Sequence, residues 1–431
     1  MEAARVGRPD TELAIEYDNQ LGELMGLLVQ KYGGSSVADV ECMNRVARRV
    51  FDTQKEGHSV VVVVSAMGKT TDNLISLSRQ VSAQPDDREM DMLLSTGEQI
   101  SVAILAMALH GMGAKAISMT GPQAGISTDK FHTKAKILGI RPERIQSRLD
   151  EGFIVIVAGF QGLSPTEDIA TLGRGGSDTT AVALAAALNA DRCQIFTDVD
   201  GVYTADPRVV VQARKLDEVA YDEMLELASL GAKVLQSRAV EFAKKYGVEL
   251  EVLSSFDRNP GTVVKEEVDT MEHIVVRGVA ADKNQAKVTI HHVPDKPGVA
   301  ASVFKDLAAS NVNVDMIVQN VSEAGHTDMS FTTPSDELHR TRSAMEGLVD
   351  SVGAAGVNYD DDIAKISIVG VGMRSHSGVA HRMFDTLSRN NINIEMISTS
   401  EIKISVVIRR EHADKAVQVL HEAFEMHLIQ Q

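Results

Sequence analysis

Between Leu27 and Leu253 the chain alternates two hydrophobic periods. Leu27–Lys31 is a short, mostly apolar run that reads as a buried strand. After it, Val40, Met43, Val46, Val50 and Phe51 recur at spacings of 3 and 4, which predicts a helix that Gly57 ends. Ser59–Ser65 is apolar on both faces, the signature of a parallel strand covered on each side. Ile154–Val157 and Gln194–Phe196 read as further strands and Thr179–Asn189 as a helix. Tyr221–Lys245 reads as a helical stretch broken at Gly231-Ala-Lys233, and Val248–Leu253 as the last strand. The alternation predicts one α/β domain over residues 25–262, a mostly parallel sheet sandwiched by helices.

The remainder contains an internal repeat. The stretch from Gly298 to Ile317 is matched by that from Gly378 to Ile397, residue for residue at an offset of 80 (378 − 298). A strand precedes each copy (Lys287–His291; Lys365–Val369), and one or two follow (Asp328–Thr332; Lys403–Ile408). Each unit reads as a ferredoxin-like βαββαβ module. The expected boundaries are 287–360 and 363–431, with 263–286 as a linker. A repeated module of this size points to a paired ligand-sensing unit.

Composition narrows the partners. A chain of 431 residues fits about three domains. No run of about 18 apolar residues occurs, so no membrane span is expected. The net charge of −17 argues against nucleic acid or an anionic membrane surface, and the absence of Trp argues against base-stacking platforms. Cys42 and Cys193 form no CxxC or zinc pattern, which fits a reducing cytoplasm. Residues 1–24 are polar and acidic without a signal-peptide core, and read as an extension or misassigned start before Met25-Gly26.

The densest chemistry lies in Thr171-Leu-Gly-Arg-Gly-Gly-Ser-Asp-Thr-Thr180. Gly173, Gly175 and Gly176 permit close backbone approach, Arg174 offers a planar fork for a carboxylate or phosphate, and Ser177 and Asp178 open the following helix. The first βα turn, Lys31-Tyr32-Gly33-Gly34-Ser35-Ser36, has a phosphate-cradle composition, with Lys31 as a point charge for a moving phosphoryl group. Alone, such a turn serves structure as readily as a ligand. Gly68-Lys69-Thr70 is no Walker loop, because Val63 stands where the first glycine is required. The polar loop Thr197–Arg208 lacks the DxDxDG of a calcium loop. It fits a nucleotide better, with Tyr203 as a flat surface and Arg208 as a cation, although a solvated turn has the same composition. Glu98 follows an apolar run and could meet an ammonium or cap a helix. His291-His292 has no ligating partner in sequence and is not read as a metal site.

Taken in order, Lys31-Tyr-Gly-Gly-Ser-Ser, Ser65-Ala-Met-Gly, Thr171-Leu-Gly-Arg-Gly-Gly-Ser-Asp and Thr197-Asp-Val-Asp-Gly-Val-Tyr-Thr-Ala-Asp-Pro-Arg resemble the aspartate kinases, in the form with two C-terminal ACT domains. The resemblance runs from about residue 27 to about 425. It implies phosphorylation of the side-chain carboxylate of L-aspartate by ATP and Mg2+, the first step toward lysine, threonine, methionine and diaminopimelate. It assigns Lys31, Tyr32, Gly33, Gly34 and Ser35 to the ATP phosphates, and Thr197, Asp198, Tyr203, Asp206, Arg208 and Lys233 to the rest of the nucleotide. Ser65, Thr71, Glu98, Arg174 and Ser177 would hold aspartate, while Asp178 would orient Lys31.

The resemblance further implies feedback by lysine, threonine or both, and interleaved ACT modules in which Ile274–Val279, within the 263–286 linker, is a strand of the second. Asp295, Lys296, Pro297, Gly298, Asn313, Val314, Asp315 and Gln319 match the first effector site, and Asn393, Ile394, Glu395, Thr399 and Glu401 its counterpart. The second copy carries Ser375-His-Ser-Gly378 in place of Asp295-Lys-Pro-Gly298, a departure that bears on effector binding there. A homo-oligomer is expected, or an α2β2 assembly whose short subunit starts internally at Met271. The competing readings are a sister kinase of the same fold, acting on glutamate, acetylglutamate, carbamate or UMP, and a non-catalytic amino-acid sensor.

Overall fold

The computed structural model describes residues 26–229, 234–266, 268, 275–320, 325–374, 376 and 378–428. Lys233, Met271, Ser375 and the N-terminal extension lie outside the described residues. Two compact units divide the chain, the first ending at Gln194 and the second beginning at Ile195.

The first unit runs β1 (Leu27–Tyr32), α1 (Val40–Lys55), β2 (Ser59–Val64), α2 (Thr70–Val81), α3 (Asp87–Gly111), β3 (Ala116–Met119), β4 (Ile126–Thr128), β5 (Ile137–Ile140), α4 (Glu143–Asp150), β6 (Ile154–Ala158), β7 (Gln161–Leu163), β8 (Ile169–Thr171) and α5 (Gly176–Leu188). Strands β1, β2, β6 and β3 pair in that order, all parallel. Val60–Val64 are completely or almost completely buried. Each such valine contributes roughly 1.5–3 kcal/mol relative to exposure, which is why this run becomes a central strand. β4, β5, β7 and β8 form a separate small sheet in the order β5-β4-β7-β8.

Helix α1 buries Met43, Val46, Ala47 and Val50 but leaves Val40 exposed. Val40 is its first residue, after an N-cap at Asp39 whose carboxylate accepts from the Cys42 amide. Helix α3 is long and apolar enough to cross a membrane by length and composition. Its buried positions nevertheless include Asp91, Ser95, Glu98 and Ser101 among the leucines, which marks a core helix with a polar purpose.

Strand β9 (Arg192–Thr197) contains the division between the units. The second unit continues with β10 (Glu218–Ala220), α6 (Tyr221–Ser229), α7 (Ser237–Tyr246), β11 (Leu250–Ser254), β12 (Thr262–Lys265), β13 (Gly278–Pro294), α8 (Val299–Ala309), β14 (Ile317–Gln319), β15 (His326–Pro334), α9 (Leu338–Met345), α10 (Leu348–Val352), β16 (Gly356–Val369), α11 (Val379–Arg389), β17 (Met396–Thr399), β18 (Lys403–Arg409) and α12 (Ala413–Ala423). Residues 195–262, the last part of the expected domain over 25–262, belong to the second unit. The cause is visible in the bonds that join segment 195–262 to residues beyond 262. The Thr204 hydroxyl pairs with His421 at 2.9 Å, the Val279 amide donates to the Thr204 carbonyl, and Lys403 reaches Glu226 at 2.8 Å.

The repeat folds as one six-stranded sheet, β14-β15-β13-β16-β18-β17. The expected boundaries at 287 and at 360–363 fall inside β13 and β16. These are continuous strands of 17 and 14 residues, paired antiparallel along nearly their whole length. The C-terminal part of β13 pairs with β15 as the first strand of module one, while Gly278–Asp282 pairs with Lys365–Val369 as the fourth strand of module two. Reciprocally, β16 closes module one and opens module two, where it pairs with β18. Each module buries its own core, one around Val288, Ile290, Val303 and Phe331, the other around Ile366, Ile368, Met383 and Val406.

Candidate active site

Apart from Glu98, the candidate site residues of the first unit sit where strands end and helices begin. At the end of β1, Lys31 is held against Asp178 of α5, Nζ to Oδ1 at 2.6 Å, with side chains 11 % and 9 % exposed. A pair so buried loses much of its Coulomb gain to desolvation, so stability alone does not account for it. Tyr32 is completely buried and its hydroxyl donates to Gln30 Oε1. Only the backbone of Tyr32 can therefore reach a nucleotide.

Gly34 lies where two turns meet. The Gly68 amide donates to the Gly34 carbonyl at 3.0 Å, and a Cβ on Gly34 would stand 3.0 Å from the Ala66 carbonyl oxygen. Ser65 is tied by its amide to the Tyr32 carbonyl. Ser35 is exposed beside this junction, and Thr71, the second residue of α2, is half-buried. The turn containing Arg174 uses two left-handed glycines, Gly173 at φ 76° and Gly175 at φ 72°, a conformation that leaves the Arg174 side chain exposed.

Helix α5 starts at Gly176, three residues before the expected Thr179, and Gly175 caps it without a side-chain bond. Ser177 is thus a buried first-turn residue and not the cap. A Cβ on Gly159 would meet its hydroxyl at 2.7 Å, so the end of β6 lies directly against it.

Glu98 sits in the middle of α3, which excludes the capping role. It is 3 % exposed. Gly97 brings the helix so close to the turn after β2 that a Cβ there would stand 2.8 Å from the Cβ of Ala66. The Ala66 amide then donates to Glu98 Oε1 at 3.0 Å, while Oε2 is buried without a hydrogen-bond partner. Burial pushes the Glu98 carboxyl up to about 7, opposed by the Ala66 amide. A carboxylate oxygen left waiting in this way suits a ligand ammonium.

In the second unit, Thr197 bonds Asp198, and the Tyr203 hydroxyl donates to Asp200 at 2.7 Å. Burial, with Asp200 adding to it, pushes the Tyr203 phenol up to about 12. Asp206 and Arg208 bond each other at 2.7 Å. The Arg208 bond holds the Asp206 carboxyl below the usual range, and the Arg208 side chain is 87 % exposed.

The residues that the resemblance assigns to effectors fall at equivalent places in the two modules. Gly298 (φ 95°) and Gly378 (φ 98°) cap α8 and α11, with exposed Asp295, Lys296 and Pro297 before the first. Asn313, Val314 and Asp315 follow α8, with Gln319 ending β14; Asn393, Ile394 and Glu395 follow α11, with Thr399 ending β17 and Glu401 exposed beyond it. The structure gives these groups partners that the sequence did not reveal. Asn313 is gripped by Glu337, at 2.7 Å to its amide and 3.1 Å to its side chain. Asp315 pairs with Lys365 of the other module, and Glu395 pairs with Lys287 of the first. The two crossed pairs repeat the internal symmetry, because Lys287 and Lys365 occupy the opening strands of their modules.

A buried group that sequence reasoning passed over is Asp91, which accepts from His132, Thr133 and Thr171. Its spacing of seven from Glu98, on the buried side of one helix, was the available signal. Among the described residues no three or more His, Cys, Asp or Glu side chains converge in a way that could hold a metal ion.

Comparison with known proteins places this geometry. The amino acid kinase family matches residues 26–254, and the ACT domain matches residues 290–347 and 366–424. The chain is 54 % identical over 405 residues to an aspartokinase of Mycolicibacterium smegmatis, covering 93 % of this chain and 96 % of that one. Among solved structures it resembles E. coli aspartokinase III in complex with aspartate and ADP (R-state), with a TM-score of 0.79, 28 % identity and coverage of 92 % and 99 %. The same enzyme in complex with lysine and aspartate (T-state) gives a TM-score of 0.72 at the same identity and coverage.

The chain belongs to the amino acid kinase family, in the branch that carries ACT domains. That branch is the aspartokinases, ATP-dependent kinases that act on aspartate under allosteric feedback regulation.

Proposed function

We propose that this chain transfers the γ-phosphoryl group of ATP to the side-chain carboxylate of L-aspartate, giving 4-phospho-L-aspartate. The observation that carries this reading is the Lys31–Asp178 pair at 2.6 Å, buried at the head of two glycine turns in the same unit as Glu98 and Arg174. A carboxylate of pKa about 3.9 is already ionised at neutral pH, so the acceptor needs no general base. The remaining task is to position two anions and neutralise the charge between them.

Lys31, steered by Asp178, supplies a cation for the transferring group. The backbone of Tyr32, Gly33 and Gly34, with the Ser35 hydroxyl, receives the phosphates. Arg174 forks onto the substrate α-carboxylate, Glu98 takes its ammonium through the unpartnered oxygen, and Ser65, Thr71 and Ser177 complete the amino-acid site. Thr197, Asp198, Tyr203, Asp206, Arg208 and Lys233 are assigned the remainder of the nucleotide. Mg2+, when bound, neutralises phosphate charge. It would be carried by the phosphates and water, since among the described residues no three His, Cys, Asp or Glu side chains converge to hold it. Lysine, threonine or both act through Asp295–Gly298, Asn313–Gln319 and their counterparts at Asn393–Glu401.

We place the protein in the cytoplasm, consistent with two free cysteines, and as a homo-oligomer or an α2β2 assembly with an internal start at Met271. Asp178→Asn tests the catalytic assignment. We expect kcat to fall on the order of 100-fold, with aspartate KM within about threefold; an unchanged kcat would remove Asp178 from the reaction.

A further inference from the structure

None of the roles above uses Asp91, yet it is completely buried and fully engaged. The Thr171 hydroxyl donates to its Oδ1, the Thr133 amide donates to both oxygens at 3.1 and 3.0 Å, and His132 Nδ1 stands 2.7 Å from Oδ2. One carboxylate thus ties the last residue of β8 to the loop before β5. The tie is reinforced by the Ala135 amide, which donates to the Thr171 carbonyl at 2.9 Å. Thr133 takes a positive φ of 63°, uncommon for a β-branched residue, and the carboxylate is what its amide faces.

Two residues beyond Thr171 the Arg174 turn begins. A Cβ on Gly173 would lie 3.1 Å from the Thr133 carbonyl oxygen, so the turn rests on the loop that Asp91 holds. Burying a carboxylate is costly, and an apolar side chain would fill the space at less expense to folding. What the carboxylate provides is convergence of three donors from two segments into one geometry.

We propose that Asp91 is a positioning residue for the amino-acid substrate. Through Thr171 and the Thr133 amide it fixes the turn that presents Arg174. Helix α3 then governs both ends of the amino-acid site, because Glu98 follows Asp91 by two helical turns, about 10 Å along the same face. This rests on the reading that Arg174 binds the substrate α-carboxylate.

The test is steady-state kinetics on the full-length enzyme, with thermal unfolding in parallel. Asp91→Asn should raise aspartate KM roughly tenfold while kcat and ATP KM stay within about twofold, because misplacing a binding group by a fraction of an ångström has effects of this order. Thr171→Val, which removes one donor, should raise aspartate KM in the same direction, and Thr171→Ser, which keeps the hydroxyl, should restore it. This pair decides the matter if Asp91→Asn does not fold. On an Arg174→Ala background Asp91→Asn should add nothing, since residues acting through one another are not additive. If Arg174→Ala raises aspartate KM but Asp91→Asn and Thr171→Val do not, or if their effects add in full, the positioning role is wrong and the Arg174 assignment stands. If Arg174→Ala leaves aspartate KM unchanged, the Arg174 assignment fails and this proposal fails with it.

Discussion

Glu98 gives the sharpest quantitative expectation. Its carboxyl is 3 % exposed and pushed up to about 7 by burial, with Oε1 on the Ala66 amide and Oε2 unpartnered. Only the ionised form accepts an ammonium, so the apparent aspartate KM should scale as one plus the ratio of protonated to ionised Glu98. With a pKa of about 7 that factor is about 11 at pH 6, about 2 at pH 7 and about 1.1 at pH 8. Aspartate KM should therefore fall about tenfold from pH 6 to pH 8, with kcat far less affected. Binding at pH 6.5 should release roughly three-quarters of a proton, measurable by calorimetry in buffers of different ionisation enthalpy.

Stability carries the same signature. The folded carboxyl titrates at about 7 against 4.5 for the ordinary group, so the folded state holds the proton more tightly. Ionising it removes on the order of 3 kcal/mol as pH climbs through that interval, and bound aspartate offsets the loss. Glu98→Gln should raise aspartate KM and flatten its pH dependence. A wild-type KM that is level from pH 6 to pH 8, or a slope that survives in Glu98→Gln, would refute the assignment.

Two further substitutions probe other parts of the account. Arg174→Lys keeps the charge but loses the two-pronged fork, and should raise aspartate KM about tenfold with a smaller change in kcat; unchanged kinetics would take Arg174 out of the amino-acid site. Lys365→Met frees Asp315 from its cross-module partner. On the effector-site reading it should lower the lysine concentration for half-inhibition by several-fold, and inhibition curves that coincide with wild type would show that the crossed pairs do not compete with the effector.

Much of the framework was legible because it rests on local pattern. The Val60–Val64 run could only be a covered strand, and the offset of 80 announced two equal modules before any coordinate. What escaped depended on contacts remote in sequence. Pattern alone does not fix the strand that the segment before the first module gives to the second: the resemblance points to Ile274–Val279, whereas Gly278–Asp282 is what pairs with Lys365–Val369, with Gly278 and Val369 separated by 91 residues (369 − 278). Asp91 resembles the solvated charges around it, Asp87, Arg88 and Glu89, until His132 and Thr171 close over it. Ser177 has the composition of a helix cap, yet the left-handed Gly175 takes that place and leaves the serine inside. The crossed pairs of Lys287 with Glu395 and Lys365 with Asp315 likewise needed the sheet order, because each joins residues in different modules.

The central claim is that the Lys31, Arg174 and Glu98 site phosphorylates the side-chain carboxylate of aspartate. A hydroxylamine trap tests it most directly, with purified protein, MgATP and L-aspartate or L-glutamate, each with and without lysine plus threonine. The account predicts aspartyl hydroxamate from aspartate alone, diminished when the effectors are present. Hydroxamate from glutamate and none from aspartate, or none from either with lysine still bound, would contradict it.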